Sequence, residues 1–249
     1  MGYSKILQDG LIIAVMKSKW IFRSFGGFLT LIVFPILVSL VAIFVLRIAN
    51  VTYTFSAVVI FFTAVSAITV IGQGMASDER SRTLAIFITL PIHPFSYALG
   101  IALNSLILNS SGLLILIPFY YLLSLFTGEI PITSLIFLFI VSLPGWLTCL
   151  SVGFLIGVYV LEKEWIYNFT SILSMIFTFA NPLFLPMENF PTVFQYLIYL
   201  VPTTPLALLL KAMITGSTLV NILTNLLISI IYAMIAFILA IRRIRWGLG

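Results

Sequence analysis

Residues 77–100 read SDERSRTLAIFITLPIHPFSYALG. Asp78, Glu79, Arg80 and Arg82 crowd into five positions, directly after an apolar run that ends near Met75. Leu84, Phe87 and Ile88 follow at helical spacing. Pro91 and Pro94 then stop the helix, and Tyr97 opens the next apolar run. The stretch therefore predicts a short amphipathic helix on a membrane surface, held between two membrane-crossing helices.

The composition agrees. The chain has 249 residues, 62% of them hydrophobic and only 8% charged, where soluble domains carry about 25% charged residues. This is the composition of an integral membrane protein, all-α, with room for one membrane domain. The net charge of +5 does not indicate a nucleic-acid partner, because the basic residues flank the apolar runs. The single cysteine, Cys149, excludes an intrachain disulfide framework. Residues 1–27 lack the pattern of a cleavable signal peptide.

A helix needs about 20 residues to cross the hydrocarbon core. Six stretches meet that length: Phe28–Leu46, Phe55–Met75, Tyr97–Phe126, Ile132–Leu161, Ile166–Leu185 and Leu219–Ile241. Pro118 in the third and Pro144-Gly145 in the fourth predict kinks. Before the first, Tyr3, Leu7, Leu11 and Ala14 share a face, with Lys5, Asp9, Lys17, Lys19 and Arg23 supplying charge. With Trp20 and Phe22 suited to the headgroup layer, residues 1–27 are expected to hold an interfacial helix. Between the fifth and sixth stretches, Thr192–Val201 and Leu206–Ile214 are each too short to cross. They flank Pro202-Thr203-Thr204-Pro205, which predicts a re-entrant helical hairpin over residues 186–218 on the outer side.

Orientation follows from Lys and Arg. If both termini share one side, that side holds Lys5, Lys17, Lys19, Arg23, Arg80, Arg82, Lys163, Arg242, Arg243 and Arg245, leaving Arg47 and Lys211 on the other. The asymmetry puts both termini and residues 77–96 in the cytoplasm.

Set in this frame, Glu79-Arg80, Thr83-Leu84, Leu90-Pro91-Ile92, Tyr97 and Gly100 resemble the cytoplasmic signature of the ABC type-2 permeases. Arg82 stands where that family usually has Gly, Ala85 where an acid is common, and Ile101 where Lys is common. Pro186, Glu188, Pro191, Pro202 and Thr203 match the family's layout after the fifth span. The resemblance implies a coupling helix within residues 77–96 that seats on a separate ATPase. Asp78, Glu79, Arg80, Arg82 and Thr83 would then supply polar contacts, and Leu84 and Phe87 would fill the partner's groove. It further implies a multi-pass subunit of the plasma membrane that works as a pair, with two copies of the ATPase. ATP and Mg²⁺ would lie on that partner and no cofactor on this chain. The function implied is export of a cargo out of the cytoplasm.

The chemistry absent from the chain points the same way. There is no G-x-x-x-x-G-K-[ST] loop for ATP, no H-E-x-x-H and no G-x-S-x-G. No catalytic or metal-binding set is expected. No charge falls at the middle of an expected span, whereas ion-driven transporters keep such charges for function. A membrane-embedded lipid-modifying enzyme and a secondary transporter are the alternatives; the first needs a catalytic cluster at a span end and the second an intramembrane charge. An uncharged interior rich in Phe suits a hydrophobic or amphipathic cargo such as a drug, a lipid or a lipid-linked glycan. Asn104, Asn109, Ser111, Thr170 and Thr178 are the candidate residues for its pathway.

Smaller features have plain readings. His93 is an ordinary polar loop residue and Cys149 a small hydrophobe. Glu162-Lys163-Glu164 reads as a solvated turn or a second contact with the motor. Gly153 and Gly157 form a G-x-x-x-G pair whose partner helix lies either within the chain or in a second copy.

Overall fold

In a computed structural model, residues 3–44, 51–90, 92–127, 132–159, 163–180, 182–183, 191–199, 201–214 and 219–243 are described. Within them the chain is helical, with no strand. The elements are α1 (Tyr3–Arg23), α2 (Phe25–Phe44), α3 (Val51–Ala64), a π-turn (Val65–Thr69), α4 (Val70–Arg80), α5 (Thr83–Thr89), α6 (Pro94–Thr127), α7 (Ile132–Tyr159), α8 (Lys163–Phe179), α9 (Thr192–Tyr199), α10 (Thr204–Ile214) and α11 (Leu219–Arg243).

Helices occupy each of the six stretches expected to cross. Four have the length and hydropathy to do so alone: Tyr53–Arg80, Pro94–Leu123, Ser142–Tyr159 and Val220–Ala240. The described apolar parts of α2 and α8 are shorter, Ile32–Val41 and Trp165–Phe179. The pair α9–α10 bends by 99°, a broken span or a re-entrant loop by geometry alone. Residues 184–190 and 215–218 of the expected hairpin lie outside the described residues, as do the side chains of Glu162, Lys163 and Glu164.

The α3–π–α4 rod is central. In its most apolar window 83% of residues are buried, against 17% for α11 at the periphery. A helix that is apolar all round is a core helix, and Phe55, Ala57, Val58, Val59 and Ile60 are fully covered. Pro118 and Pro144 are both carried within unbroken helices. A further irregularity lies at Val65–Thr69, where the central rod widens to a π-turn that sequence reading did not foresee.

Glycines set how closely the other helices approach the rod. A Cβ on Gly153 of α7 would sit 3.0 Å from the Ala67 carbonyl oxygen and 3.2 Å from Ile68 Cα. One turn on, a Cβ on Gly157 would meet Met75 Sδ at 2.7 Å. The G-x-x-x-G face is thus used inside the chain, against the central rod. α10 buries Leu206, Leu209 and Leu210 completely, with Leu206 seated against Gly145 of α7. Its preceding turn is tied to the end of α8 by the Thr203 hydroxyl, which donates to the Phe177 carbonyl.

Candidate functional site

The segment after the rod begins with a tight stop. The Ser81 N–H donates to the Ser77 carbonyl at 2.9 Å, and the Arg82 N–H to the Glu79 carbonyl at 3.1 Å. Arg82 takes the left-handed conformation, φ 59° and ψ 11°, the only described residue other than Gly with positive φ. Helices commonly end on a Gly in this conformation. The departure from the family pattern at Arg82 therefore falls where the backbone favours glycine.

α5 follows, and its apolar side turns inward. Phe87 is 9% exposed and its ring lies 5.6 Å from that of Tyr97. Leu84 packs half-buried on the same core. The outward surface is formed by Glu79, Arg80 and Arg82 with Ala85, Ile86 and Leu90; Ile86 is 58% exposed. Of the residues singled out from sequence, Phe87 is a packing residue of this chain, since a helix two turns long must bury its broad apolar side on its own protein first. Ile86 is an exposed apolar residue that helical spacing does not single out, while Ile88, which spacing groups with Leu84 and Phe87, is 36% exposed. Thr83 is half-buried, and its hydroxyl lies 2.8 Å from that of Ser81.

Asp78 is also turned inward. It is 7% exposed, and its carboxylate takes bonds from Lys17 Nζ at 2.6 Å and the Tyr97 hydroxyl at 2.7 Å. His93 caps α6: its Nδ1 accepts the Phe95 N–H at 3.1 Å, just before Pro94 at the first helical position, where a missing N–H costs nothing.

Of the candidate pathway residues, Asn109 and Thr170 meet the rod, and the five form no single cluster of bonded side chains. Asn109 is 1% exposed, and its side-chain oxygen accepts from the Ser66 hydroxyl at 3.1 Å. Alongside it Ser105 donates to the Ser66 carbonyl at 3.1 Å, and Trp146 Nε1 donates to Ser105 at 3.2 Å. The π-turn is therefore collared by polar groups of α6 and α7. About two turns further along the rod, Gln73 Nε2 reaches Thr170 at 3.3 Å, Ser171 at 3.2 Å and the Tyr167 carbonyl at 3.3 Å. Thr170 and Thr178 are fully buried and donate to their own helix, at Ile166 and Ser174. Ser111 is half-buried and bonds back to Ile107 at 2.7 Å. Asn104 is buried, and its side-chain oxygen has no partner among the described residues. Sequence reading missed Ser66 and Gln73. Their signal was present: Ser66, Thr69 and Gln73 stand at i, i+3 and i+7 in an otherwise apolar span.

Among curated proteins no sequence matches the chain. The family model described as ABC-2 family transporter protein matches residues 46–242, a range that runs from the start of the central rod to the end of α11. It takes in the polar collar, the segment after α4 and the bent α9–α10 pair. A membrane-embedded helical bundle of this kind, matched over most of its length, is a multi-pass transport subunit, and the chain belongs to the ABC-2 transporter permease family.

Proposed function

We propose that the chain is a single permease domain that forms half of an ATP-driven exporter. It would pair with a second permease copy and carry two copies of a separate ABC ATPase, on which ATP and Mg²⁺ are bound. In this reading six helices cross the plasma membrane, both termini are cytoplasmic, α1 lies at the interface and the α9–α10 pair re-enters from outside. The cargo is hydrophobic or amphipathic: a drug, a lipid or a lipid-linked glycan. It leaves the cytoplasm along the polar faces that α6 and α8 turn toward the central rod, where Asn104, Asn109, Ser111, Thr170 and Thr178 are found.

One observation carries the reading. The most deeply buried helix of the bundle runs on into α4, whose end exposes Glu79 and Arg80, and the turn and short helix that follow expose Arg82 and Ile86. A push on that surface acts directly on the core of the bundle. Charges beside the exposed Ile86, Ile88 and Leu90 are the form that helix-in-groove recognition uses.

The test is co-expression and co-purification with the ABC ATPases of the same genome, wild type against Glu79→Ala/Arg80→Ala/Ile86→Ala. These side chains are exposed, so the variant keeps its fold and loses most of the bound ATPase. An ATPase that binds the variant as well as the wild type removes the docking assignment; one that binds neither removes the exporter reading.

A further inference from the structure

Three elements that are remote in sequence meet at one carboxylate. Lys17 Nζ of α1 lies 2.6 Å from both oxygens of Asp78, at the end of α4. The Tyr97 hydroxyl, from the first turn of α6, donates to Oδ2 at 2.7 Å. The side chains of the ion pair are 21% and 10% exposed, so the pair is largely withdrawn from solvent. Such a pair repays its desolvation poorly as net stability, and its best-attested use is to fix register.

The surroundings indicate what is being registered. α1 lies flush on α6: a Cβ on Gly100 would stand 2.6 Å from Ile13 and 3.0 Å from the Gly10 carbonyl oxygen. Tyr97, one turn before Gly100, has two contacts. Its hydroxyl holds Asp78, and its ring packs on Phe87 of α5. Phe87, Tyr97, Asp78 and Lys17 thus form an unbroken chain of contacts from α5 to α1. Van der Waals packing carries the first link and charge-assisted hydrogen bonds carry the others.

We infer that Lys17, Asp78 and Tyr97 are positioning residues, a clasp that makes α1 and α5 move as one body. The inference rests on the reading that α5 receives the ATPase's stroke. Asp78 then takes no part in docking. It extends the displacement of a helix only two turns long to the 21-residue α1. Of the carboxylates in this segment, Asp78 transmits and Glu79 faces outward.

The experiment places spin labels at Lys19→Cys on α1 and Ala85→Cys on α5, both exposed sites, with the buried Cys149 replaced by Ala. In lipid nanodiscs the permease alone should give one narrow α1–α5 distance. Asp78→Asn and Tyr97→Phe should each lose that narrow peak, and the exchanged pair Lys17→Asp/Asp78→Lys should regain it. Tyr97→Phe removes a single hydroxyl, so it reports even if Asp78→Asn folds poorly. If the narrow peak survives in both single variants, the clasp is refuted. A second arm adds the ATPase with a non-hydrolysable ATP analogue. The α1–α5 distance should then stay fixed while both helices shift against a label on α11; a wild-type α1–α5 distance that changes with nucleotide also refutes the clasp. Failure of the ATPase to bind sinks the docking reading, and the first arm still decides the clasp.

Discussion

Replacing Gly153 with Ala tests the packing of α7 on the central rod. The added Cβ would lie 3.0 Å from the Ala67 oxygen, 3.2 Å from Ile68 Cα and 3.2 Å from the Ile68 oxygen. Carbon contacts are optimal near 3.5–4.0 Å, so the two helices must part by a few tenths of an ångström. All three neighbours are backbone, and that backbone is the π-turn pinned by Ser105 at the Ser66 carbonyl. It has no rotamer to yield. Overpacking of this kind costs about 1–3 kcal/mol, while Gly→Ala in a helix interior returns about 1 kcal/mol. The net is a loss of about 1 kcal/mol. Two control sites separate the terms. At Gly157 the neighbour is the thioether end of Met75, which swings aside, so the two effects nearly cancel. At Gly74 nothing lies within 4 Å, so the helix-propensity gain of about 1 kcal/mol stands alone. The single buried Cys149 supplies the assay, since a thiol-reactive dye labels it only on unfolding. The expected order of melting temperature is Gly74→Ala, then wild type with Gly157→Ala, then Gly153→Ala, with steps of about 2–4 °C per kcal/mol. A Gly153→Ala protein that melts with or above the wild type would refute the close approach of α7 to the π-turn.

Arg82→Gly should stabilise the protein by about 1 kcal/mol, because it relieves the left-handed backbone, and Arg82→Ala should not; equal melting of the two variants would exclude the positive-φ turn. A double-mutant cycle between Ser66→Ala and Asn109→Leu should give a coupling of about 0.6 kcal/mol, with about 1.7 as the ceiling for such pairs in membranes; zero coupling in equilibrium unfolding would remove their bond. Phe87→Ala should cost about 3–5 kcal/mol, as truncation of a buried Phe does. Ile86→Ala should leave stability within about 0.5 kcal/mol and weaken ATPase capture. The reverse pattern in melting and pull-down would show that α5 faces the other way.

The segment from Ser77 to Pro94 shows how far spacing reaches. Periodicity found a helix after Asp78 and its end before Pro94, because proline and helical repeat act locally. It also found an apolar side made of Leu84, Phe87 and Ile88, of which Ile88 is exposed. It assigned that side to the partner, whereas Phe87 packs on Tyr97. Helical spacing gives the direction of the greasy face and carries no information about which protein covers it. Asp78 has the same history: its charge was legible, and its use on Lys17, sixty-one residues away, was not. The proposed pathway residues rest on polarity alone. Asn109 and Thr170 do turn to the central rod, and their partners Ser66 and Gln73 lie on a sparse polar stripe with Thr69 in a span whose hydropathy reads as uniformly apolar.

The sequence by itself determined the all-helical membrane class, the position of each helix, the bent pair around Pro202 and the family. These follow from composition, from the length needed to cross hydrocarbon and from residues adjacent in the chain. Only the tertiary structure decided that α3–α4 is the buried rod and that it carries a π-turn at Val65–Thr69. The same holds for the packing of Gly153 within the chain and for Asp78 as the point where α1, α4 and α6 meet. In lipid most spans are equally apolar, so hydropathy does not rank them by burial. Small residues, hydroxyls and single charges do the ranking, and each acts only through the neighbour that the fold brings to it.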